Sequence, residues 1–214
     1  MKKVVSGIYA ITPDIGDTDD LIDVVGHALR GGIRLFQYRN KSADKKLRVE
    51  QAEWLLKLIR GHGGTLIIND DLSILETVDA DGLHVGEDDI GVESARKALT
   101  KEKILGVSCY SDVERAARGE RAGADYVAFG SMYKTTSKVR ADNASLELLT
   151  KARAFCSLPF VAIGGINRGN LQEVVLAGAD SAAIIHGIFG ASDISQEAQL
   201  CGQIFVNALQ AKRI

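Results

Sequence analysis

Residues 33–41, with the sequence IRLFQYRNK, begin like a buried strand and end in two cations that are two residues apart. Gly31 and Gly32 precede this stretch and end an amphipathic segment whose apolar residues recur at helical spacing. A second amphipathic segment follows at about 43–60. A buried strand between two helices is typical of a parallel sheet with helices on its faces. The stretch therefore predicts an α/β fold.

The same alternation of strand and helix continues through the chain. Short apolar runs predict eight strands, each followed by a segment of helical periodicity. The predicted strands are 7–12, 33–41, 65–69, 82–85, 104–108, 126–129, 159–163 and 181–185. Eight parallel strands can close and so remove both sheet edges, whereas an open doubly wound sheet, the alternative, rarely has such regular units. The sequence predicts one (β/α)8 TIM barrel domain over residues 1–214.

Composition limits the classes of partner. The 214 residues carry a net charge of −2, so no basic surface for nucleic acid or anionic membrane is expected. The three cysteines are far apart, which disfavours disulfides and zinc sites. The first residues lack the apolar length of a signal peptide or membrane span. We expect a cytoplasmic protein with small-molecule partners, and a homo-oligomer stays open.

Cationic residues mark the carboxyl end of the second strand, where a barrel builds its active site. Alternate residues of an extended segment share a face, so Gln37, Arg39 and Lys41 can converge on one ligand. An amide, a guanidinium and an ammonium suit a polar group beside a phosphate or diphosphate. The alternative is a strand end with ordinary solvated charges.

Two acidic residues follow neighbouring strands. Asp70 comes just after the third strand and Asp89 just after the fourth, so their carboxylates could reach a common ion. Mg²⁺ prefers oxygen ligands and is commonly held by one or two carboxylates plus substrate phosphates. The pattern favours a magnesium site next to Arg39 and Lys41. Alternatively, Asp70 caps the following helix and Asp89 is a solvated loop acid.

Glycines and hydroxyl groups mark a second anion site. Gly164 and Gly165 follow the seventh strand, where barrels often bind phosphate through backbone N–H groups. The loop 130–138 is rich in hydroxyl groups, ends in a cation and is longer than a connection requires, which favours a flap that grips an anion. A plain tight turn and a solvent loop without a role are the alternatives. His186, after the eighth strand, is ambiguous between packing and function.

Six stretches, in this order along the chain, resemble the thiamine phosphate synthase family. They are 37–41 (QYRNK), 68–71 (INDD), 83–89 (LHVGEDD), 106–108 (GVS), 135–138 (TTSK) and 163–166 (IGGI). The resemblance implies a magnesium-dependent transferase that joins a hydroxymethylpyrimidine diphosphate to a thiazole phosphate and releases pyrophosphate. The implied path is dissociative: pyrophosphate leaves first, and the thiazole nitrogen captures the pyrimidinylmethyl cation.

The resemblance also implies roles for individual residues. Asp70 and Asp89 would bind the metal, and Gln37 the pyrimidine. The residues expected on the diphosphate are Arg39, Lys41, Asn69, Ser108 and Lys138, of which Arg39, Lys41, Ser108 and Lys138 are the catalytic candidates. The residues expected on the thiazole phosphate are Thr135, Ser137, Gly165, Ile185 and His186.

Some residues depart from the family pattern. His186 replaces a serine, Glu87 a glutamine and Ser137 a threonine, which keeps the hydroxyl group. A thiazole tautomerase-like paralogue is the nearest alternative, but it has a histidine where this chain has Tyr110, and it does not need Asp89. A barrel that binds phosphate ligands without turnover is the other alternative, which the retained acids and cations disfavour.

Overall fold

Eight parallel strands close into a barrel in a computed structural model that describes residues 5–87, 89–134 and 144–212. The strands are β1 (Gly7–Ile11), β2 (Leu35–Tyr38), β3 (Thr65–Asn69), β4 (Gly82–Val85), β5 (Ile104–Tyr110), β6 (Tyr126–Phe129), β7 (Phe160–Ile163) and β8 (Ser181–Ile184). Each strand pairs with its sequence neighbours, and β1 pairs with β8 in the register Gly7 to Ser181. The predicted (β/α)8 barrel is confirmed, and the open doubly wound sheet is wrong.

Helices alternate with the strands around the outside of the barrel. They are α1 (Thr18–Arg30), α2 (Lys45–Gly61), α3 (Leu72–Val78), α4 (Val92–Ala98), α5 (Val113–Arg121), α6 (Leu146–Ala152), α7 (Leu171–Leu176), α8 (His186–Phe189) and α9 (Ile194–Ala211). The short helix α8 was not expected from the sequence. In the part of the chain that the structure describes, no helix is both long and apolar enough to cross a membrane.

Aspartates cap the first turn of several of these helices. Each carboxylate accepts a hydrogen bond from the backbone N–H three residues further on, which satisfies a donor that the helix leaves free and contributes about 1 kcal/mol. The capping residues with this bond are Asp17, Asp44, Asp71, Asp112 and Asp193. These caps fix where the loops before α1, α2, α3, α5 and α9 end.

The carboxyl ends of two strands differ from the predicted ones by two residues or more. β2 stops at Tyr38 because the next amide, Arg39 N–H, donates to the side chain of Thr12 rather than to a strand. β5 continues to Tyr110, two residues beyond the predicted end, through a register shift between Ser108 and Tyr110. Tyr110 then takes a left-handed conformation at φ 53°.

The apolar core has two layers, because both faces of a closed parallel sheet are buried. The larger layer lies between barrel and helices, and the smaller one fills the barrel interior. The interior includes two tyrosines, Tyr9 and Tyr126. The ring of Tyr126 crosses β5 so closely that a Cβ on Gly106 would lie 2.0 Å from its Cζ atom, and only glycine fits there. The tyrosine hydroxyls are thereby held inside the barrel.

Candidate active site

Four of the predicted site residues line one cavity of ≈ 260 Å³ at the carboxyl ends of β2 and β3. Arg39 and Lys41 lie on the β2 side, and Asn69 and Asp70 lie on the β3 side. Two cations, an amide and a carboxyl group therefore face the same space, as expected for an anion held next to a metal ion. Gln37 does not line this cavity, because its side chain is buried inside the barrel.

The loop after β1 holds the cationic segment in place. Thr12 Oγ1 accepts from Arg39 N–H at 2.9 Å and donates to Arg39 O at 3.0 Å. Asp14 Oδ1 lies 3.2 Å from Arg39 Nη1 and accepts from Lys41 N–H at 3.0 Å. One carboxylate thus holds both the guanidinium and the backbone that carries the ammonium. The supporting roles of Thr12 and Asp14 were not predicted from the sequence, although both residues lie in the loop after β1.

Asn40, between the two cations, is fully engaged in hydrogen bonds. Its Nδ2 donates to Ile15 O at 2.8 Å and to Gln51 Oε1 at 3.0 Å. Its Oδ1 accepts from Ser42 N–H, from Ser42 Oγ–H and from Ala43 N–H. A buried amide with all its partners is costly to move, because each bond lost leaves an unsatisfied polar group. Asn40 therefore makes the backbone between Arg39 and Lys41 rigid.

Gln37 and Ser108 are the two ends of a line of hydrogen bonds through the barrel, here called the buried relay. Gln37 Nε2 donates to the Tyr9 hydroxyl at 2.9 Å, and this hydroxyl lies 3.0 Å from that of Tyr126. The Tyr126 hydroxyl lies 2.8 Å from His84 Nδ1, and His84 Nε2 lies 2.8 Å from Ser108 Oγ. Burial raises the pKa of both phenols well above the usual value, so both keep their protons.

The two predicted metal ligands face each other. Burial, followed by the hydrogen bond to Asp89 and its charge, raises the pKa of the Asp70 carboxyl to about 6, against the opposing charge of Lys41. Asp70 takes φ 62° and its N–H donates to His84 O at 2.8 Å. Asp89 is fixed by Gly86 N–H, which donates to its Oδ2 at 2.6 Å. The alternative role of Asp70 as a helix cap is wrong, since Asp71 caps α3. Asp89 is partly exposed, and its role as a metal ligand stays a prediction.

This carboxylate pair fits a magnesium ion. Two oxygen donors that repel each other gain from a divalent cation between them, and magnesium keeps several waters or substrate oxygens as its other ligands. Within residues 5–87, 89–134 and 144–212 there is no group of three or more His, Cys, Asp or Glu side chains suited to a metal. The protein would therefore supply Asp70 and Asp89, and a bound diphosphate would supply further oxygens.

Arg115 on α5 joins the ends of β4 and β5. Its Nε donates to Ser108 O at 2.7 Å and its Nη2 donates to Gly86 O at 2.9 Å. Gly86 in turn binds Asp89, so one guanidinium fixes the backbone on both sides of the candidate site. Arg115 was not predicted from the sequence, because an arginine in a helix is usually a solvent-exposed charge.

Close backbone contacts explain the two glycines after β7. Gly164 and Gly165 have φ 102° and 64°, and a Cβ on Gly165 would lie 2.7 Å from Tyr133 Cβ. The loop after β6 lies on this turn, because Met132 N–H donates to Ile163 O at 2.9 Å. Three predicted contacts of this end, Thr135, Ser137 and Lys138, lie outside the described residues.

The remaining predicted phosphate contacts follow β8. Ile185 precedes α8, and its carbonyl oxygen accepts from Ile188 N–H and Phe189 N–H. His186 is exposed, and its ring lies against Gly190, where a Cβ would be 2.4 Å from His186 Cε1. The ring therefore packs on a glycine of its own short helix, and its contact with a phosphate stays a prediction.

Comparison with known proteins identifies the family of this chain. A family model described as thiamine monophosphate synthase matches residues 8–188. A thiamine-phosphate synthase of Nitrosospira multiformis is 43% identical over 204 residues, which cover 95% of this chain and 87% of the relative. This chain belongs to the thiamine monophosphate synthase family.

Further relatives of this family extend the likeness. A thiamine-phosphate synthase of Nitrosomonas eutropha is 44% identical over 201 residues, which cover 94% of this chain and 95% of the relative. The solved thiamine phosphate pyrophosphorylase of Pyrococcus furiosus has a TM-score of 0.85 at 32% identity, and the match covers 95% of this chain and 96% of that one. The family resemblance, the barrel and the transferase class are therefore confirmed.

Proposed function

We propose that this chain condenses 4-amino-2-methyl-5-hydroxymethylpyrimidine diphosphate with 4-methyl-5-(2-phosphoethyl)thiazole to give thiamine monophosphate and pyrophosphate. A carboxylated form of the thiazole would give the same products and release CO₂ as well. The observation that carries the proposal is the cavity where Arg39, Lys41 and Asn69 meet Asp70, next to Asp89. Such a site suits a magnesium diphosphate. The family assignment supports the same reaction, and a cytoplasmic location with small-molecule partners agrees with it.

The leaving group determines the chemistry at this site. The bond between the pyrimidine methylene carbon and the diphosphate oxygen breaks, and its electron pair leaves with pyrophosphate. Arg39 and Lys41 stabilise the negative charge that grows on that oxygen, and so do hydrogen bonds from Asn69 and Ser108. The thiazole nitrogen then donates its electron pair to the methylene carbon, so no protein nucleophile is needed. Magnesium, held by Asp70 and Asp89, would neutralise charge on the diphosphate.

The two substrates would contact different residues of the barrel. Gln37, at the barrel interior, would bind the pyrimidine. The backbone at Gly165 and Ile185 would bind the thiazole phosphate, with Thr135, Ser137 and His186 beside it. Lys138 would add a cation on the diphosphate. The thiazole phosphate would then bind at β7 and β8, which lie on the far side of β1 from β2 and β3 in the closed barrel.

The test is release of pyrophosphate by the purified chain with each substrate alone, with both, and with both plus EDTA. We expect release only with both substrates and Mg²⁺. Asp70→Ala combined with Asp89→Ala should abolish it, whereas Asp23→Asn, on an exposed side chain of α1, should not. Normal turnover of the double variant would refute the metal assignment. Binding of both ligands without release would favour the barrel that binds without turnover.

A tautomerase-like activity is distinguished in the same experiment. Incubation with the carboxylated thiazole phosphate alone would then interconvert its tautomers without any pyrimidine substrate or metal. We expect no such conversion, because the acid pair and the cations form a site for a second, anionic substrate.

A further inference from the structure

The buried relay has a middle that the proposed function does not use. Only its ends, Gln37 and Ser108, are expected to contact substrate. Tyr9, Tyr126 and His84 connect them and are 1%, 0% and 7% exposed. The rings of His84 and Tyr126 are also stacked, with centroids 5.5 Å apart. Burying three polar side chains from β1, β6 and β4 costs folding free energy unless each has a hydrogen-bond partner. The direction in which they donate and accept hydrogen bonds therefore matters.

The direction of every hydrogen bond in the relay follows from one end. Gln37 Nε2 can only donate, so the Tyr9 oxygen accepts. A buried hydroxyl hydrogen needs an acceptor, and the Tyr126 oxygen at 3.0 Å provides one, so we infer that Tyr9 donates to Tyr126. The Tyr126 hydroxyl then donates to His84 Nδ1, which leaves the proton of the neutral imidazole on Nε2. His84 Nε2–H donates to Ser108 Oγ. The raised pKa of both phenols agrees, since each keeps one hydrogen to pass along.

This direction determines what each end offers to a substrate. Ser108 Oγ already accepts from His84, so its own O–H is free to donate to an anion. In the part of the chain that the structure describes, the Gln37 amide oxygen accepts no hydrogen bond, so it can accept one from an amino group. In the reverse direction, Ser108 would donate to His84 and turn its oxygen lone pairs towards the diphosphate. The Gln37 amide would then present its N–H groups to the amino group of the substrate, so that two donors would face each other.

We propose that Tyr9, Tyr126 and His84 are positioning residues that fix this proton direction, so that Ser108 acts as a donor to the leaving diphosphate and Gln37 as an acceptor for the pyrimidine. The inference rests on the proposed function, because it names what the two ends contact. It adds that the pyrimidine end and the diphosphate end are coupled through the barrel interior. None of the three residues needs to touch the reacting atoms.

The first test measures the direction itself and does not depend on turnover. Long-range ¹H–¹⁵N spectra distinguish the two tautomers of a neutral histidine, and the chain has only four histidines. The His84 signal is the one lost in His84→Gln. We expect the Nε2-protonated form in the free protein. An Nδ1-protonated ring would overturn the inference, even if pyrophosphate release confirmed the proposed function. Conversely, the Nε2-protonated ring would support the direction of the hydrogen bonds even if pyrophosphate release failed.

The second test measures whether Tyr126 acts through Ser108. Tyr126→Phe keeps the ring and removes the hydroxyl, and we expect kcat/KM for the pyrimidine diphosphate to fall about tenfold, which is the loss of roughly one buried hydrogen bond. In a Ser108→Ala background the same change should cost about threefold or less, because the group it orients is gone. An unchanged tenfold cost in that background would overturn the inference. Loss of the Nε2-protonated signal in Tyr126→Phe would support it independently of activity.

Discussion

Replacing Asp70 by asparagine should stabilise the folded chain at neutral pH and abolish its turnover. Burial and the neighbouring Asp89 raise the pKa of Asp70 from an ordinary 3.8 to about 6. A carboxyl group with a raised pKa binds more protons in the folded state than in the unfolded state between these two values. Its charge therefore costs stability progressively as the pH rises from about 4 to 6, and the full cost is present above pH 6.

The size of this cost follows from the same shift. A rise from 3.8 to about 6 disfavours the charged form by roughly 3 kcal/mol. Asp70 is only partly buried, so solvent screening reduces this to about 1–2 kcal/mol. Asparagine keeps the shape, carries no charge and tolerates the left-handed φ of 62° at this position. For a chain of this length the gain corresponds to a rise in Tm of about 2–8 °C.

The assay is thermal unfolding followed by circular dichroism in EDTA, at pH 7.5 and pH 4. Asp70→Asn should melt above the parent chain at pH 7.5 and close to it at pH 4, and Asp23→Asn should match the parent at both. Added Mg²⁺ should raise the Tm of the parent but hardly that of Asp70→Asn, because a ligand stabilises only the state that binds it. A variant that melts at or below the parent at pH 7.5 would refute the account of this acid pair.

Two further substitutions test the supports of the site. Asp14→Ala should lower kcat/KM for the pyrimidine diphosphate by about tenfold, since Arg39 loses the carboxylate that holds it, and unchanged steady-state kinetics would contradict this role. Gly106→Ala should destabilise the fold by about 3 kcal/mol or more in urea unfolding, because its Cβ would lie 2.0 Å from Tyr126 Cζ. Gly119→Ala is its matched control: the nearest atom is 3.8 Å away and the residue is helical, so stability should stay equal or rise.

The barrel was predictable because its signals are local. Each strand is a short apolar run and each helix an amphipathic segment, so counting them gives the architecture. Helix starts were predictable to about two residues: the helix expected from about 43 begins at Lys45 after its cap Asp44, whereas the short helix α8 was not expected. Aspartates at these starts are recognisable because a carboxylate is favoured near the positive end of a helix.

The site was predictable only where its residues follow strand ends. Arg39, Lys41, Asn69 and Asp70 share a cavity because the ends of neighbouring parallel strands meet at one edge. Asp14 was not found, because its role depends on the ion pair that it makes with a residue 25 positions away.

The interior polar residues were hidden for another reason. Tyr9, His84 and Tyr126 lie within strands, where an aromatic or histidine residue usually indicates packing. Their alternation with outward-facing apolar residues was visible, but which of them meet inside the barrel depends on register and shear. Gly106, whose missing side chain makes room for Tyr126, was the one sequence signal of this contact.

The most direct measurement of the central claim is the yield of both products in one reaction. The purified chain is incubated with both substrates and Mg²⁺, and thiamine monophosphate is quantified by chromatography while pyrophosphate is quantified by a coupled assay. The account predicts that the two products appear in equal amounts, because each C–N bond formed releases one pyrophosphate. Pyrophosphate without thiamine monophosphate, or neither product from a folded chain that binds both substrates, would contradict it.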